Sequence, residues 1–359
     1  MKHPILIVGG GIAGLCTAQF LEKQGFSIHL IDCQIIGQGS SRVAAGMLAP
    51  VHELEFTETQ ILKAGLESLQ IYKQWESEIK GLIIDRTGTL EIASAAEDIP
   101  YLQRQYDFQK RQGLEVYWLE SQALQEKEPL ISPNIPCGIF APGDIQIENR
   151  PLLKTLKLDL LGKGITLDEH TTLVDWDESR SIAKVVNLEG EEKTIPAAAL
   201  VLATGVRPVS IAEAPDILPV KGEMIALEKH EGFPLRHIIR IRNRRLGNGY
   251  VVPKQHSILV GATSEHMGMD QRNSFGGVMD ILRRAWQVLP GLYDLAIQEV
   301  YAGFRPAAPN HLPVIQKIGN GRKYAINGLY RHGILLGPWA GREMAQLIHN
   351  DLMETPCSG

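Results

Sequence analysis

Three glycines and one acid near the start of the chain have the residue types and spacing of a dinucleotide-binding turn. Gly9, Gly11 and Gly14 follow a short apolar run, and Asp32 closes a second apolar run. The first glycine permits a tight turn, the second lets a pyrophosphate approach the backbone, and the third lets a helix pack close to the strand. Asp32 stands where a carboxylate accepts hydrogen bonds from an adenosine ribose.

The elements that must position these residues are a strand, a helix and a second, parallel strand. Residues 15–24 are amphipathic and separate the two apolar runs, which predicts a βαβ unit with the phosphates at the helix N-terminus. A lone G-x-G-x-x-G is a weak motif, but this one has its strand, helix and acid at the expected spacing. An empty glycine-rich turn would not need this combination. The motif alone does not separate an FAD enzyme from an NAD enzyme.

Two further stretches of small residues are candidate cofactor contacts. Residues 37–50 are mostly small or hydroxyl-bearing, which suits backbone lying against a flat ring, with Ser40 and Ser41 placed to bond phosphate or ribitol hydroxyls. A plain surface loop has the same composition. Residues 328–341 form a glycine-lined loop that enters a helix, and a helix N-terminus is a second place to hold a polar cofactor group.

Residues 236–245 form an unusually basic stretch. Within it, Arg240 and Arg242 alternate with Ile239 and Ile241, as on a half-solvated strand. We favour a solvated edge strand here, because charges protect the edges of sheets from further pairing. An anion site at the mouth of a pocket and a subunit contact are the alternatives.

Length and composition narrow the class of protein. A chain of 359 residues suggests about two domains, and its net charge of −5 argues against a general nucleic-acid-binding surface. The four cysteines form no C-x-x-C pair, so we expect no metal site, and such sparse cysteine fits a reducing cytoplasm. The N-terminus lacks the pattern of a signal peptide, and no run of about 18 apolar residues predicts a transmembrane helix.

The chain resembles the D-amino-acid oxidase superfamily of FAD enzymes nearly from end to end. Within that superfamily, the segments Ala45-Gly46-Met47-Leu48 and Val220-Lys221-Gly222-Glu223 point to the glycine oxidase branch. The segments that carry the resemblance are 7–14, 44–48, 127–129, 218–223, 250–253, 260–263, 302–306 and 331–336.

The resemblance implies an α/β fold of two domains. One is a Rossmann-like FAD-binding domain of the glutathione-reductase type, and the other is an α+β substrate domain built on a large mixed sheet. The expected FAD-binding domain is discontinuous and comprises residues 1–85, 149–218 and 305–359. The expected substrate domain comprises residues 86–148 and 219–304.

The same resemblance, together with the glycine motif, implies a set of contacts to non-covalently bound FAD. These cofactor-binding candidates are Gly9, Gly11, Ile12, Ala13, Gly14, Asp32, Cys33, Ser40, Ser41, Ala45, Gly46, Met47, Leu173, Val174, Ala203, Gly205, Leu329, Tyr330, His332, Gly333, Ile334 and Leu335.

Tyr250, Arg305 and Arg331 occupy the family's substrate positions. A guanidinium such as that of Arg305 binds carboxylate bidentately, although a structural ion pair is the alternative. Tyr250 adds a hydroxyl to the same carboxylate or is a buried wall residue, and Arg331 faces substrate through its backbone carbonyl. For His332 a packed or solvated histidine is favoured over a catalytic base. No side chain is predicted to be catalytic, because the flavin carries the difficult step.

The implied reaction is oxidative deamination of glycine, sarcosine or a D-amino acid. A neutral amine loses hydride to flavin N5, the imine hydrolyses, and oxygen reoxidises the flavin to give hydrogen peroxide. A role in thiamine biosynthesis accompanies the resemblance. The alternatives are a dehydrogenase that uses another acceptor, and a non-catalytic or tRNA-modifying relative. No nucleic-acid partner is expected, and the sequence is compatible with both a monomer and a homo-oligomer.

Overall fold

The computed structural model of the chain describes residues 3–53 and 59–354. The strands are β1 (Ile5–Val8), β2 (Ile28–Ile31), β3 (Met47–Leu48), β4 (Ile84–Asp85), β5 (Thr89–Ala93), β6 (Tyr117–Glu120), β7 (Cys137–Ala141), β8 (Ile145–Ile147), β9 (Thr166–Asp168), β10 (Thr172–Asp177), β11 (Ile182–Val186), β12 (Glu192–Pro196), β13 (Ala199–Leu202), β14 (Leu218–Glu228), β15 (Ile238–Arg242), β16 (Gly249–Pro253), β17 (Ser257–Gly261), β18 (Ile297–Ala307), β19 (Val314–Ile318) and β20 (Lys323–Asn327).

The α-helices are α1 (Ile12–Lys23), α2 (Ser40–Val43), α3 (Pro50–Glu53), α4 (Thr59–Glu78), α5 (Ile99–Arg111), α6 (Ser121–Lys127), α7 (Asn149–Gly162), α8 (Phe275–Val288) and α9 (Gly333–Glu354). Short 3₁₀ helices span Ala96–Asp98, Pro290–Leu292 and Tyr330–His332. Among the helices of the described residues, none has both the length and the apolar character that crossing a bilayer requires.

The first large sheet has six strands in the order β19-β20-β13-β1-β2-β9. Strand β1 lies parallel to β2 and β13, and only the edge strand β19 is antiparallel to its neighbour. The four residues of β1 are all buried, as expected for a central parallel strand with both faces covered. The predicted βαβ unit is therefore present as β1, α1 and β2.

Helices α1 and α9 pack against each other beside this sheet, and glycines allow the close approach. A Cβ atom on Gly337 would lie 2.6 Å from Cγ1 of Ile12, and one on Gly341 would lie 2.7 Å from Cβ of Cys16. The two glycines are one helical turn apart and so lie on the same face of α9. This packing fixes the end of the chain against its beginning and places the start of α9 beside the start of α1.

The second large sheet has eight strands in the order β18-β14-β17-β16-β15-β5-β7-β6. It is mixed, because β15 and β5 are parallel while the other neighbours are antiparallel. Its side chains alternate between two cores. Val251 packs with the core that includes Ile281 and Ala285 of α8, whereas Val252 and the partly buried Tyr250 belong to a different cluster on the other face.

The chain segments of these two sheets bear on the predicted domain division, which stays a prediction. Strands β1, β2, β9, β13, β19 and β20 come from the segments assigned to FAD binding, and the eight-stranded sheet comes almost wholly from the others. Two of the four predicted boundaries fall at the first residue of β14 and inside β18. Two small sheets, β10-β11-β12 and β3-β8-β4, complete the order of strands.

The basic stretch 236–245 is not a solvated edge strand, so that prediction is wrong. Its strand β15 lies inside the eight-stranded sheet, between β16 and β5. Arg240 and Arg242 do share one face, but that face is covered by carboxylates. Arg240 pairs with Glu53, and Arg242 pairs with Glu91 at 2.7 Å. Alternating arginines therefore mark a buried polar layer here and not a solvated surface.

Candidate active site

One cavity of ≈ 2040 Å³ runs from the glycine turn after β1 to the face of the large mixed sheet that carries Tyr250. The cavity brings together nearly all of the predicted site residues. Those that line it are Gly9, Gly11, Ile12, Ala13, Asp32, Cys33, Ser40, Ser41, Ala45, Gly46, Met47, Leu173, Ala203, Gly205, Tyr250, Arg305, Leu329, Tyr330, Arg331, His332, Gly333, Ile334 and Leu335.

Two predicted cofactor residues, Gly14 and Val174, lie outside this lining. Val174 is 40% exposed. Gly14 lies inside α1, where a Cβ atom would stand 1.9 Å from the carbonyl oxygen of Gly9. Its position matches the predicted packing of helix on strand. Gly9 has a φ of +111°, and a Cβ there would lie 2.2 Å from the carbonyl oxygen of Ala203.

The carboxylate of Asp32 is held at the cavity wall by backbone donors. Gly10 N donates to its Oδ2 at 2.7 Å, and Gln34 N donates to its Oδ1 at 2.7 Å. An ionised carboxylate has about four acceptor positions, so both oxygens can still accept further hydrogen bonds. The glycine turn and the acid therefore form one rigid unit that presents acceptors to the cavity.

The two serines of the small-residue segment already have partners within the protein. Ser40 Oγ donates to the carbonyl of Phe304, while Ser41 Oγ accepts from Ile12 N at 3.0 Å at the start of α1. Ser41 therefore keeps its hydroxyl hydrogen for another acceptor. The segment packs closely on β18. A Cβ atom on Gly303 would lie 2.1 Å from Cγ2 of Val43, so this contact requires glycine at position 303.

The donor set and the shape of this end of the cavity fit a dinucleotide such as FAD. Glycines 9 and 11 keep its wall free of side chains, and the first turn of α1 presents its N-terminus to the cavity. A second helix start, at Gly333 of α9, lines the same cavity after the 3₁₀ turn. Two helix N-termini with an acceptor on Asp32 are the groups that phosphates and a ribose require.

Arg305 and Tyr250 stand on the wall formed by the large mixed sheet. Arg305 Nη1 donates to the carbonyls of Thr263 at 3.1 Å and Lys221 at 3.3 Å. The Tyr250 hydroxyl lies 3.4 Å from Sδ of Met224. Burial raises the pKa of Tyr250, and the neighbouring Arg305 opposes that shift. Tyr250 therefore remains a neutral donor at physiological pH, beside a fixed guanidinium.

Two further charged residues belong to this wall, Glu53 and Arg240. Sequence reasoning missed Glu53 and favoured a solvated edge strand for Arg240. Glu53 ends α3, lines the cavity and is ion-paired with Nη1 of Arg240, which also lines it. Arg240 is the cross-strand neighbour of Tyr250 in the register of β15 and β16. Burial alone would raise the pKa of Glu53, but Arg240, His332 and Arg331 outweigh burial and lower it to about 2. No local pattern indicates that residues so distant in sequence meet.

His332 is packed, in line with the favoured interpretation. Its Nδ1 lies 3.3 Å from Oε2 of Glu53, and its Nε2 accepts from Nε of Arg331 at 3.1 Å. Since Arg331 can only donate, Nε2 is the acceptor in this contact, and Nδ1 is the ring nitrogen that faces the carboxylate. Arg331 Nε also lies 3.6 Å from Glu53. The turn 330–332 and the wall formed by the large mixed sheet thus contact the same carboxylate.

The comparison with known protein families decides the family. The family model described as "FAD dependent oxidoreductase" (DAO) matches residues 4–347. The chain belongs to this family. As an FAD-dependent oxidoreductase it uses FAD as its cofactor, and the superfamily resemblance and the α/β fold class predicted from the sequence are confirmed.

Individual relatives are similar over almost the whole chain. The bifunctional protein ThiO/ThiG of Nostoc sp. is 31% identical over 97% of this chain and 53% of its own length, so the chain spans about half of that relative. The glycine oxidase of Geobacillus kaustophilus is 28% identical over 97% of this chain and 93% of its own. The crystal structure of glycine oxidase from Bacillus cereus superposes with a TM-score of 0.87, at 26% identity, over 98% of this chain and 96% of that one.

Proposed function

We propose that this FAD-dependent oxidoreductase is an oxidase of glycine, sarcosine or another small amino acid that carries its amine next to a carboxylate. The observation that carries the proposal is the pair Arg305 and Tyr250 on the cavity wall formed by the large mixed sheet. A fixed guanidinium with an adjacent neutral hydroxyl suits a carboxylate. The names of the similar glycine oxidases support the same substrate class.

In this proposal each residue of the wall has a stated task. Arg305 and Tyr250 hold the substrate carboxylate and so orient the α-carbon, while burial of the wall limits water beside the reacting atoms. Bound FAD would supply the two-electron acceptor for the substrate. The guanidinium groups of Arg240, Arg305 and Arg331 outnumber the carboxylate of Glu53, so the local potential disfavours a protonated amine. That favours the neutral amine, which is the form that can lose a hydride.

A panel of amines with peroxide detection tests the proposal on the purified holoenzyme. We expect peroxide from glycine or sarcosine, and little from amines of the same size without a carboxylate. The same preparation also tests how FAD is held. Acid precipitation should leave a colourless pellet and a yellow supernatant, because no covalent bond is expected. Peroxide from none of the amino acids would contradict the proposed oxidase.

The second candidate is a dehydrogenase with the same substrate but another electron acceptor. The pair Arg305 and Tyr250 would bind the substrate carboxylate in the same way whichever acceptor reoxidises the flavin. The same pair therefore supports this candidate. Anaerobic photoreduction followed by admission of air separates the two candidates. Rapid recovery of the oxidised spectrum in air is expected for the oxidase, and slow recovery that a dye accelerates would favour the dehydrogenase.

We further propose that the enzyme acts in thiamine biosynthesis in the cytoplasm. The role is supported by the name of a relative from Rhizobium etli, a putative thiamine biosynthesis oxidoreductase ThiO that is 30% identical over 96% of both chains. Cys16, Cys33 and Cys137 are free thiols, which suits a reducing compartment. Loss of growth without thiamine after deletion of the gene is the expected outcome, restored by the wild-type gene.

A further inference from the structure

The segment Lys221-Gly222-Glu223 of β14 has no task in the proposed reaction, although it adjoins Arg305. Successive side chains of a strand point to opposite faces, so Gly222 faces one way while Lys221 and Glu223 face the other. A Cβ atom on Gly222 would stand 2.6 Å from both Nη1 and Nη2 of Arg305. The guanidinium therefore lies against the bare backbone of Gly222, in space that any other residue would occupy.

The two flanking charges form an ion pair buried on the opposite face. Lys221 and Glu223 are 3% and 0% exposed, and Nζ lies 2.8 Å from Oε1. Glu223 Oε1 also accepts from Ser274 N at 2.8 Å, where α8 begins. Charges are buried at high cost unless they are paired and hydrogen-bonded, so this pair holds its strand and the start of α8 in a defined arrangement.

The same residues fix both carbonyls that receive Arg305. One is the carbonyl of Lys221 itself, and the other belongs to Thr263. Thr263 is tied to Glu223 twice, because Glu223 N donates to Thr263 Oγ1 at 2.9 Å and Thr263 N donates to Glu223 O at 3.3 Å. Lys221 N also donates to Glu265 O at 2.9 Å, and Glu265 N donates back to Lys221 O at 3.0 Å.

We propose that Lys221-Gly222-Glu223 is the positioning element of Arg305 and thereby sets the preference for carboxylate-bearing substrates without touching them. Gly222 leaves the space in which the guanidinium lies. The main-chain groups of Lys221 and Glu223 fix the carbonyls that orient it, and the ion pair of these two residues holds the strand that carries them. The inference rests on the proposed carboxylate anchor. It extends that proposal to a segment that contributes no side chain to the cavity wall.

The variant Gly222→Ala tests whether Arg305 needs the space that Gly222 leaves beside the strand. The clashing atoms belong to the tip of a flexible side chain, so the strand can stay while the guanidinium moves. For the holoenzyme we expect the ratio of kcat/KM for amino acid over plain amine to fall about tenfold or more, mainly through KM. The Kd of acetate, read from its effect on the flavin absorbance, should rise similarly. FAD content should be unchanged, and so should all properties of the control Gly143→Ala, whose Cβ would meet nothing within 4 Å.

A second variant tests the ion pair. The double substitution Lys221→Met with Glu223→Gln removes both charges together and keeps an amide oxygen for Ser274 N. We expect the substrate preference to fall while kcat for the plain amine is retained. Equal losses for amino acid and plain amine in Gly222→Ala, or no loss for either, would overturn the inference.

Comparison with Arg305→Ala separates this inference from the function on which it rests. If Arg305→Ala leaves the preference for amino acids intact, the proposed anchor is wrong. If Arg305→Ala abolishes the preference and Gly222→Ala does not change it, the anchor stands and the positioning element fails. In the Arg305→Ala background, the additional Gly222→Ala substitution should have no further effect on the preference, since there is no guanidinium left to displace.

Discussion

The two ends of the cavity are built in different ways. The end after β1 is made of backbone, with bare glycines, helix N-termini and the carboxylate of Asp32 held by main-chain donors. The opposite end is made of side chains, and Glu53, Arg240, Tyr250 and Arg305 reach it from segments far apart in sequence. Backbone donors suit a large cofactor that is the same throughout a family, whereas a wall of side chains can be changed residue by residue to suit a substrate.

This difference predicts different responses to substitution. Damage to the backbone end should affect cofactor binding and folding together, because the glycines that form the turn also pack α1 on β1. Damage to the wall of side chains should change substrate preference or pH dependence and leave the cofactor in place.

The substitution Gly14→Ala should have the largest effect. Its Cβ would stand 1.9 Å from the carbonyl oxygen of Gly9, which is main chain and cannot swing aside. We expect a loss of about 3 kcal/mol or more in the free energy of unfolding, together with loss of bound FAD. Denaturant unfolding and the ratio of flavin to protein absorbance measure the two effects.

Gly162→Ala is the matched control, because a Cβ at that helical position meets nothing within 4 Å. We expect it to be neutral or stabilising by up to about 1 kcal/mol, since alanine favours a helix over glycine. Full flavin content in Gly14→Ala would show that the glycine turn can move without losing FAD. It would contradict the expectation that damage to the backbone end affects cofactor binding and folding together.

Glu53 should make the free energy of unfolding depend on pH in the acid range. Its pKa of about 2 lies below the ordinary 4.5, so the stabilisation by its ionised form is complete above pH 4.5 and is lost as the pH falls towards 2. The lost contribution is about 3 kcal/mol, at about 1.4 kcal/mol per pKa unit. Thermal unfolding of the holoenzyme measures this effect. The difference in Tm between the wild type and Glu53→Gln should become smaller as the pH falls below 4.5.

The exposed pair of Glu76 and Arg86 provides a surface control for this measurement. Exposed ion pairs contribute little, so Glu76→Gln should follow the wild type closely at every pH. If the difference in Tm between the wild type and Glu53→Gln stays constant down to about pH 3, Glu53 does not form an ionised pair with Arg240 in the folded protein.

The substitution Asp32→Ala should have the smallest of these effects. It removes the acceptor of Gly10 N and of the expected ribose hydroxyls, and should weaken FAD binding by about 1.5–3 kcal/mol. Fluorescence titration of the apoprotein with FAD measures the change. Asp32→Asn keeps one acceptor oxygen and should fall between Asp32→Ala and the wild type. An unchanged Kd for FAD in both variants would show that Asp32 does not bind the ribose.

The sequence predicted the backbone end well because its determinants are local. The motif from Gly9 to Asp32 specifies strand, helix, strand and acceptor within a single βαβ unit, and the structure has all four. Gly14 also occupies the expected packing position. The resemblance to a family placed Tyr250 and Arg305, which no local pattern would have brought to one wall.

The remainder could not be predicted because it depends on pairing between distant segments. The alternation of Arg240 and Arg242 indicates which residues share a face of β15, but not what covers that face. Glu53 and Glu91 cover it in the folded chain, so β15 is not a surface strand and its Arg240 lines the cavity. Ser40 lines the cavity, and its hydroxyl also donates to the carbonyl of Phe304, a pairing between distant segments that no local pattern predicts.

The substrate preference of Arg305→Ala and Arg305→Lys in the holoenzyme tests most directly whether Arg305 anchors the substrate carboxylate. The kcat/KM of the best amino acid from the panel is compared with that of the amine that lacks only the carboxylate. For Arg305→Ala we expect a loss of about 2–5 kcal/mol on the amino acid and little change on the plain amine, with FAD retained. Arg305→Lys keeps the charge without the planar fork and should raise KM for the amino acid. Equal losses on both substrates would contradict the claim that Arg305 anchors a carboxylate.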